Sequence, residues 1–256
     1  MKFWNFAVNK ATETEPESVE LNIKGDIVDD EDVWLYQAYG IKAISPNEFI
    51  NELSKYEGMP LSVWIDSDGG SVFAADGIYT ALMERKGEVT MKILKAFSAA
   101  SEIAMAGGKV LISPVGKILI HEPSADGYGN SKDHRHIADF LDSTKESIMN
   151  AYQLKTGLSR AKISQMMAEE TLMDARAAIK NGFADEELYI DDTERQKSTN
   201  LSFTKIRALN SYKISIEKLE ALENVPLENN NPTEFKENKD EAIRKAKAFL
   251  ELEIES

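Results

Sequence analysis

Between residues 18 and 190 the hydrophobic positions of this chain switch repeatedly between a period of two and a period near 3.6. "VELNIKGDI" alternates apolar and polar residues as a half-buried strand does. "SPNEFINELSKYEG" has a serine in N-cap position, a proline in the first turn and a closing glycine, which together punctuate a helix. "LSVWID" returns to strand, and "GSVFAADGIYTALMERKG" places Val72, Ala75, Ile78, Tyr79, Leu82 and Met83 on one helical stripe that ends at Gly87. "EVTMKIL" predicts the next strand, and a segment rich in small residues, "KAFSAASEIAMAGGK", predicts a helix opening directly after it. "KVLIS" and "KILIH" flank "PVG", a pattern that predicts two short strands paired around a turn. From about residue 131 to 155 a longer helix carries Ile137, Phe140, Leu141, Thr144, Ile148, Ala151 and Tyr152 at steps of three and four, with Gly157 as its stop. "GLSRAKISQMMAEE" and "DARAAIKNGFADEE" predict two short helices. Strands alternating with helices imply an α/β fold on a parallel sheet.

The two ends have a different texture. Residues 1–17, with "ATETEPES", read as a flexible lead-in, and residues 18–190 as the globular domain. After it come the linker "DDTERQKSTN" and the polar break "ENVPLENNNPTEFKENKD", so residues 191–256 form a C-terminal extension, helical or disordered. The domain is long enough to bury a core without staples, which matters because the chain has no cysteine. Disulfides, thiolate metal sites and a cysteine nucleophile are thereby excluded. A net charge of −14 opposes binding to nucleic acid and to anionic lipid. "MKFWNF" is too short for a signal peptide, and no apolar run reaches the roughly 18 residues of a membrane span. The chain therefore reads as soluble and cytoplasmic. The absence of G-x-x-x-x-G-K-[ST] excludes a P-loop ATPase within it.

What chemistry could the small-residue segment serve? A serine hydroxyl becomes a useful nucleophile when a base takes its proton, a third group orients that base and donors await the oxyanion. Ser98 lies at the predicted strand-to-helix junction, where the N–H of Ala99 is free to donate. His121 closes "KILIH" and is the one good candidate base, because His134 and His136 stand two apart on a polar helix start and point to different faces. Taken singly, a histidine at a strand end is more often structural, and Ser98 reads equally as a small packing residue. A second turn, "DSDGG", puts Gly69 and Gly70 between a strand and a helix, where backbone approaches a ligand closely. It is not an EF-hand loop, since the twelfth position from Asp66 is Gly77. The G-x-S-x-G elbow is also absent around Ser98.

"IDSDGGSVFAADGIYTAL", "FSAASEIAMAGGKVLISP", "KILIHEP" and "MMAEETLMDARAAIKNGFADE" follow one another in the order and spacing of the Clp protease proteolytic subunit family, which the chain resembles over roughly residues 20–190. With the start "MKFWNF" and "GDIVDDEDVW", it is most similar to the Clp-like head maturation proteases of tailed bacteriophages. The resemblance implies a Clp/crotonase-like spiral of strand-strand-helix units with a handle helix, reached here through "EPSADGYGNSKD". It implies Ser98 as nucleophile, His121 as general base and Glu170 as orienting carboxylate, with Glu169 and Asp174 as competitors for the last role. Gly70 and Ala99 would donate to the oxyanion and Gly69 would shape the turn. No cofactor or metal is implied. A homo-oligomeric ring acting on protein substrates is implied, with the apolar face at Ile137, Phe140, Leu141 and Ile148 serving assembly as well as core packing. On the phage analogy the substrates are capsid or scaffold precursors, the place is the host cytoplasm or procapsid, and the extension makes capsid or portal contacts. Two departures stand out: "SDGG" where the family has a proline before the glycines, and "KAF" before the serine, where Lys95 and Phe97 reshape the mouth of the site. Alternative readings are a cellular Clp-like protease served by a separate ATPase, a catalytically silent assembly module, an acyl-CoA enzyme of crotonase type, and a serine–lysine dyad using Lys95 or Lys109.

Overall fold

The computed structural model describes residues 6–9 and 18–189. The predicted extension at 191–256 lies outside them. Strands β1 (Phe6–Asn9), β2 (Ser18–Ile27), β3 (Ala43–Ile44), β4 (Leu61–Gly70), β5 (Val89–Phe97), β6 (Lys109–Ile120), β7 (Thr171–Asp174) and β8 (Glu186–Glu187) form one sheet. Its spine runs β1-β2-β4-β5-β6-β7, with β3 added beside β2 and β8 beside β6. The central pairs β2/β4, β4/β5 and β5/β6 are parallel, and β1 and β7 close the path antiparallel. The strand order follows the chain without reversal, as the mixed α/β fold of a strand-and-helix spiral requires. Parallel neighbours cannot be joined by tight turns, so helices cross between them. These are α2 (Pro46–Leu53) before β4, α3 (Val72–Glu84) between β4 and β5, and α4 (Ala99–Ala104) between β5 and β6.

Alternation delivers the core. In β4, Leu61, Val63, Ile65 and Ser67 are buried while their neighbours are less so, and in β5 Val89, Met91, Ile93 and Ala96 are buried. Ala74, Ala75, Ile78 and Leu82 of α3 cover these positions, and every residue of α4 is buried. Small residues at Ala99, Ala100 and Ala104 let α4 lie close to the sheet.

Three features differ from the sequence reading. "KVLIS" and "KILIH" do not pair with each other: they are the two halves of the single strand β6, both paired with β5. The ladder runs to Ile93↔Ile112 and resumes at Lys95↔Lys117, so two steps on β5 span five on β6. The extra residues around Pro114 bulge out, because proline has no N–H to give a ladder. Residues 6–9, inside the expected flexible lead-in, pair with β2 from Phe6↔Leu21 to Asn9↔Ser18. A short helix α1 (Val33–Ala38), which buries none of its residues and so shows no amphipathic signature, begins at the last two residues of "GDIVDDEDVW".

The long helix is α5 (Ser131–Thr156), opened by an Asn130–Asp133 capping box and closed by Gly157 at φ +69°. Its C-terminal part carries Ile148, Met149, Ala151 and Tyr152 into the core, and the Tyr152 ring meets Phe183 edge-on at 5.4 Å. Its N-terminal part has no buried residue: Ile137 and Leu141 are half-buried and Phe140 is 48% exposed, its ring 5.6 Å from that of Phe73. The segment 121–130 leading into it contains no strand, and α5 stands where the handle helix is expected. Helices α6 (Arg160–Ala168) and α7 (Ala175–Lys180) complete the domain, the latter capped by the Asp174 side chain.

Ile93→Ala should cost about 2–5 kcal/mol, since it empties a fully buried site. Leu94→Ser, one residue on and 41% exposed, should change stability by less than about 1 kcal/mol. Urea denaturation of the two variants at one protein concentration reads both values.

Candidate active site

Parallel strands end together, and here three adjacent ends gather the candidate groups. β4 ends in Gly69–Gly70, β5 at Phe97 before Ser98, and β6 at Ile120 before His121. The Ser98 N–H donates to Leu119 O at 2.9 Å, which ties the junction to the end of β6. Ser98 Oγ then lies 2.6 Å from His121 Nε2. With Nε2 accepting, the imidazole proton resides on Nδ1 and the serine hydroxyl donates.

Ser98 has φ 54° and ψ −129°, a backbone conformation that side chains other than glycine avoid. The turn lifts its hydroxyl out of the strand–helix path and leaves the Ala99 N–H at the opening of α4. The neighbouring glycines are there for space. Gly69 has φ +102°, and a Cβ on it would lie 2.7 Å from both Phe97 O and Ser98 Cβ. Gly70 has φ +142°, and its Cβ would meet Ile27 O at 2.0 Å.

A hydrogen-bond network holds the nucleophile from below. Ser101 Oγ donates to Ser98 O at 2.6 Å and also lies 2.7 Å from the hydroxyl of Tyr152, which burial raises well above the ordinary tyrosine pKa. Neither Ser101 nor this role of Tyr152 was foreseen from sequence, although the three-residue step from Ser98 to Ser101 was the available sign. Beside them is Glu102, 2% exposed, whose pKa is pushed up to about 9 by burial first and by hydrogen bonding and charge repulsion from Asp76 after it.

The candidate third group is not engaged. Glu170 is exposed, in a left-handed turn at φ 46° between α6 and β7. Among the described residues no hydrogen bond or ion pair joins His121 to a carboxylate. The two competitors have other partners: Glu169 accepts from Gln165 at 2.9 Å, and Asp174 caps α7 through the Ala177 N–H at 2.8 Å. Lys109, offered for a dyad, pairs with Glu186 at the start of β6, the opposite end of that strand from His121.

The two departures from the family pattern turn out to be partners. Asp68 of "SDGG" accepts from Lys95 of "KAF" at 2.8 Å, an exposed strap across β4 and β5. Lys95 also lies 6.0 Å from the Phe97 ring. An exposed pair of this kind contributes at most about 1 kcal/mol, so its effect is to hold the rim in place. Beyond Gly69 and Gly70 opens a cleft of about 380 Å³ lined by Asp26, Asp29, Asp32, Asp68 and Tyr36. No cluster of histidine and carboxylate side chains able to hold a metal occurs among the described residues, and none of their helices is long and apolar enough to cross a membrane.

A family model described as Clp protease matches residues 19–189. The chain is 29% identical over 140 residues to the ATP-dependent Clp protease proteolytic subunit of Deinococcus radiodurans, covering 54% of this chain and 68% of that protein. It is 25% identical over 129 residues to the protein of the same name from Chlorella vulgaris, covering 49% and 64%. The chain thus spans about two thirds of the length of each relative.

Burial of Glu102 makes stability depend on pH. With its pKa pushed up to about 9 by burial, the carboxyl keeps its proton in the folded chain, whereas in the unfolded chain it loses it near the ordinary glutamate value of about 4.5. The folded state therefore binds one more proton between those values, and its stability falls as pH rises from about 4.5 to 9. Melting temperatures of the wild type across this window should decline more steeply than those of Glu102→Gln, which lacks the titrating group.

Proposed function

The chain belongs to the Clp protease family, and we propose that it is a serine-type endopeptidase with Ser98 as nucleophile and His121 as general base. The observation that carries this reading is the 2.6 Å approach of Ser98 Oγ to His121 Nε2 at the joined ends of β5 and β6. His121 takes the hydroxyl proton as Ser98 Oγ attacks the peptide carbonyl, and the N–H groups of Gly70 and Ala99 receive the oxyanion. Collapse breaks the C–N bond, His121 gives the proton to the leaving amine, and the acyl group stays on Ser98. Water, deprotonated by His121, releases the acid and restores the hydroxyl. Glu170 is assigned to orient the imidazole through Nδ1. This assignment requires its side chain to turn toward His121 when substrate or a neighbouring subunit closes the site.

The working form is a homo-oligomeric ring, with the unburied half of α5 at Ile137, Phe140 and Leu141 as contact surface. Its substrates are proteins, and the finer reading is head maturation of a tailed bacteriophage by cleavage of capsid or scaffold precursors, with residues 191–256 docking on capsid or portal. The matched relatives carry the name of ATP-dependent Clp subunits. That favours a second reading, a cellular peptidase fed by a separate ATPase.

Ser98→Ala should abolish hydrolysis of capsid and scaffold proteins and of unfolded test proteins while leaving the oligomer intact. Ser101→Ala should keep cleavage and slow it by about tenfold, as loss of one support to the nucleophile's carbonyl implies. Cleavage by Ser98→Ala at the wild-type rate would exclude this nucleophile. Phe140→Asp should shift the particle to smaller species in sedimentation velocity, and an unchanged sedimentation coefficient would remove α5 from the interface.

A further inference from the structure

The two N–H groups assigned to the oxyanion come from different helices. Gly70 immediately precedes Ser71, the N-cap of α3, and Ala99 is the first residue of α4. How α3 packs on α4 therefore sets the separation of the two donors. That packing contains a pair of carboxyls: Asp76, half-buried in the second turn of α3, is hydrogen-bonded to Glu102, 2% exposed in the first turn of α4. Two carboxyls share a hydrogen bond only while one of them keeps its proton, and no N–H or hydroxyl donor of the described residues reaches Glu102 Oε2 to take its place. Burial, then this bond and the charge of Asp76, keep the proton on Glu102 well above the ordinary carboxylate range. The other titratable groups facing Glu102 are Tyr79 of α3, Tyr152 of α5 and, across a cavity with room for about one water, His121. None of these is a lysine or arginine that would steady two carboxylates at once. Leucines at both positions would join the helices without burying polar groups, but apolar contact has no preferred direction, whereas a hydrogen bond fixes separation and orientation.

We propose that Glu102 is a positioning residue of the oxyanion hole: its proton-sharing bond to Asp76 holds α3 against α4 at the separation that aims the Gly70 and Ala99 N–H groups at one oxygen. The inference rests on the reading of Ser98 as a peptidase nucleophile served by these two donors. When the shared proton is lost, two carboxylates face each other in a poorly solvated contact, their repulsion parts the helices, and the donors no longer converge. The Ser98 N–H stays bonded to Leu119 O of β6, so the serine and His121 keep their approach through this change. The pair thus acts on stabilisation of the tetrahedral intermediate and not on activation of the hydroxyl, and its loss lowers kcat more than it raises KM.

The test measures kcat and KM of the full-length wild type, Glu102→Gln and Glu102→Leu on one fluorogenic peptide from about pH 7 to about pH 10, with circular dichroism at each point. Glutamine offers Asp76 an amide N–H that does not titrate, and leucine offers nothing. Wild-type kcat should fall at least about tenfold over the alkaline half of this range, with KM within about twofold and the dichroism native. Glu102→Gln should keep the neutral-pH kcat to within about threefold and show no alkaline fall, while Glu102→Leu should lie at least about tenfold below it. Should the leucine variant not fold, the comparison of wild type with Glu102→Gln decides alone. A wild type without the alkaline fall, the same fall in Glu102→Gln, a fall that accompanies loss of native dichroism, or a folded Glu102→Leu at the wild-type rate would each overturn the assignment and leave the peptidase reading standing. Absence of hydrolysis by the wild type at every pH, with Ser98 unreactive, would defeat the peptidase reading and this inference with it.

Discussion

A Cβ at position 69 would sit 2.7 Å from both the carbonyl oxygen of Phe97 and the Cβ of Ser98, so the end of β4 and the strand-to-helix junction can be this close only because residue 69 is glycine. The rest of the site depends on that approach. It fixes the glycine turn against the serine. Parallel pairing of β5 with β6, continued by the Ser98 N–H to Leu119 O bond, then fixes the histidine against the same serine. The strained backbone of Ser98 is held by these neighbours on both sides, and the fully buried α4 prevents it from relaxing into a regular turn.

The polar groups beneath the nucleophile extend this constraint into the handle. Ser101 bridges the Ser98 carbonyl to the buried hydroxyl of Tyr152, and Tyr152 belongs to the same helix whose other end exposes Phe140. A rigid element that touches the nucleophile's support at one end and offers an apolar surface at the other is a physical route by which assembly can set the geometry of the site. The exposed position of Glu170, on a left-handed turn leading into the edge strand β7, fits the same picture.

The period-two and period-3.6 rhythms made most elements legible, because β4, β5, α3 and the C-terminal part of α5 bury one face each. The break in β6 was misread because the bulge around Pro114 has the composition of a turn, and only pairing of both halves with β5 distinguishes the two. Helix α1 buries nothing and so left no pattern. Ser98 and His121 could be singled out because their strand ends and the block order are local facts. The Asp68–Lys95 pair, the Ser101–Tyr152 bridge and the Asp76–Glu102 couple are contacts between distant segments, which spacing along one sequence does not report.

The central claim is that Ser98 is the activated hydroxyl. The most direct measurement is to treat the assembled wild-type chain with a serine-directed fluorophosphonate and map the adduct by peptide mass spectrometry. The account predicts one adduct per chain, on Ser98, dependent on folded protein and lost in His121→Ala. An adduct on Ser101, or an unlabelled folded oligomer, would contradict it.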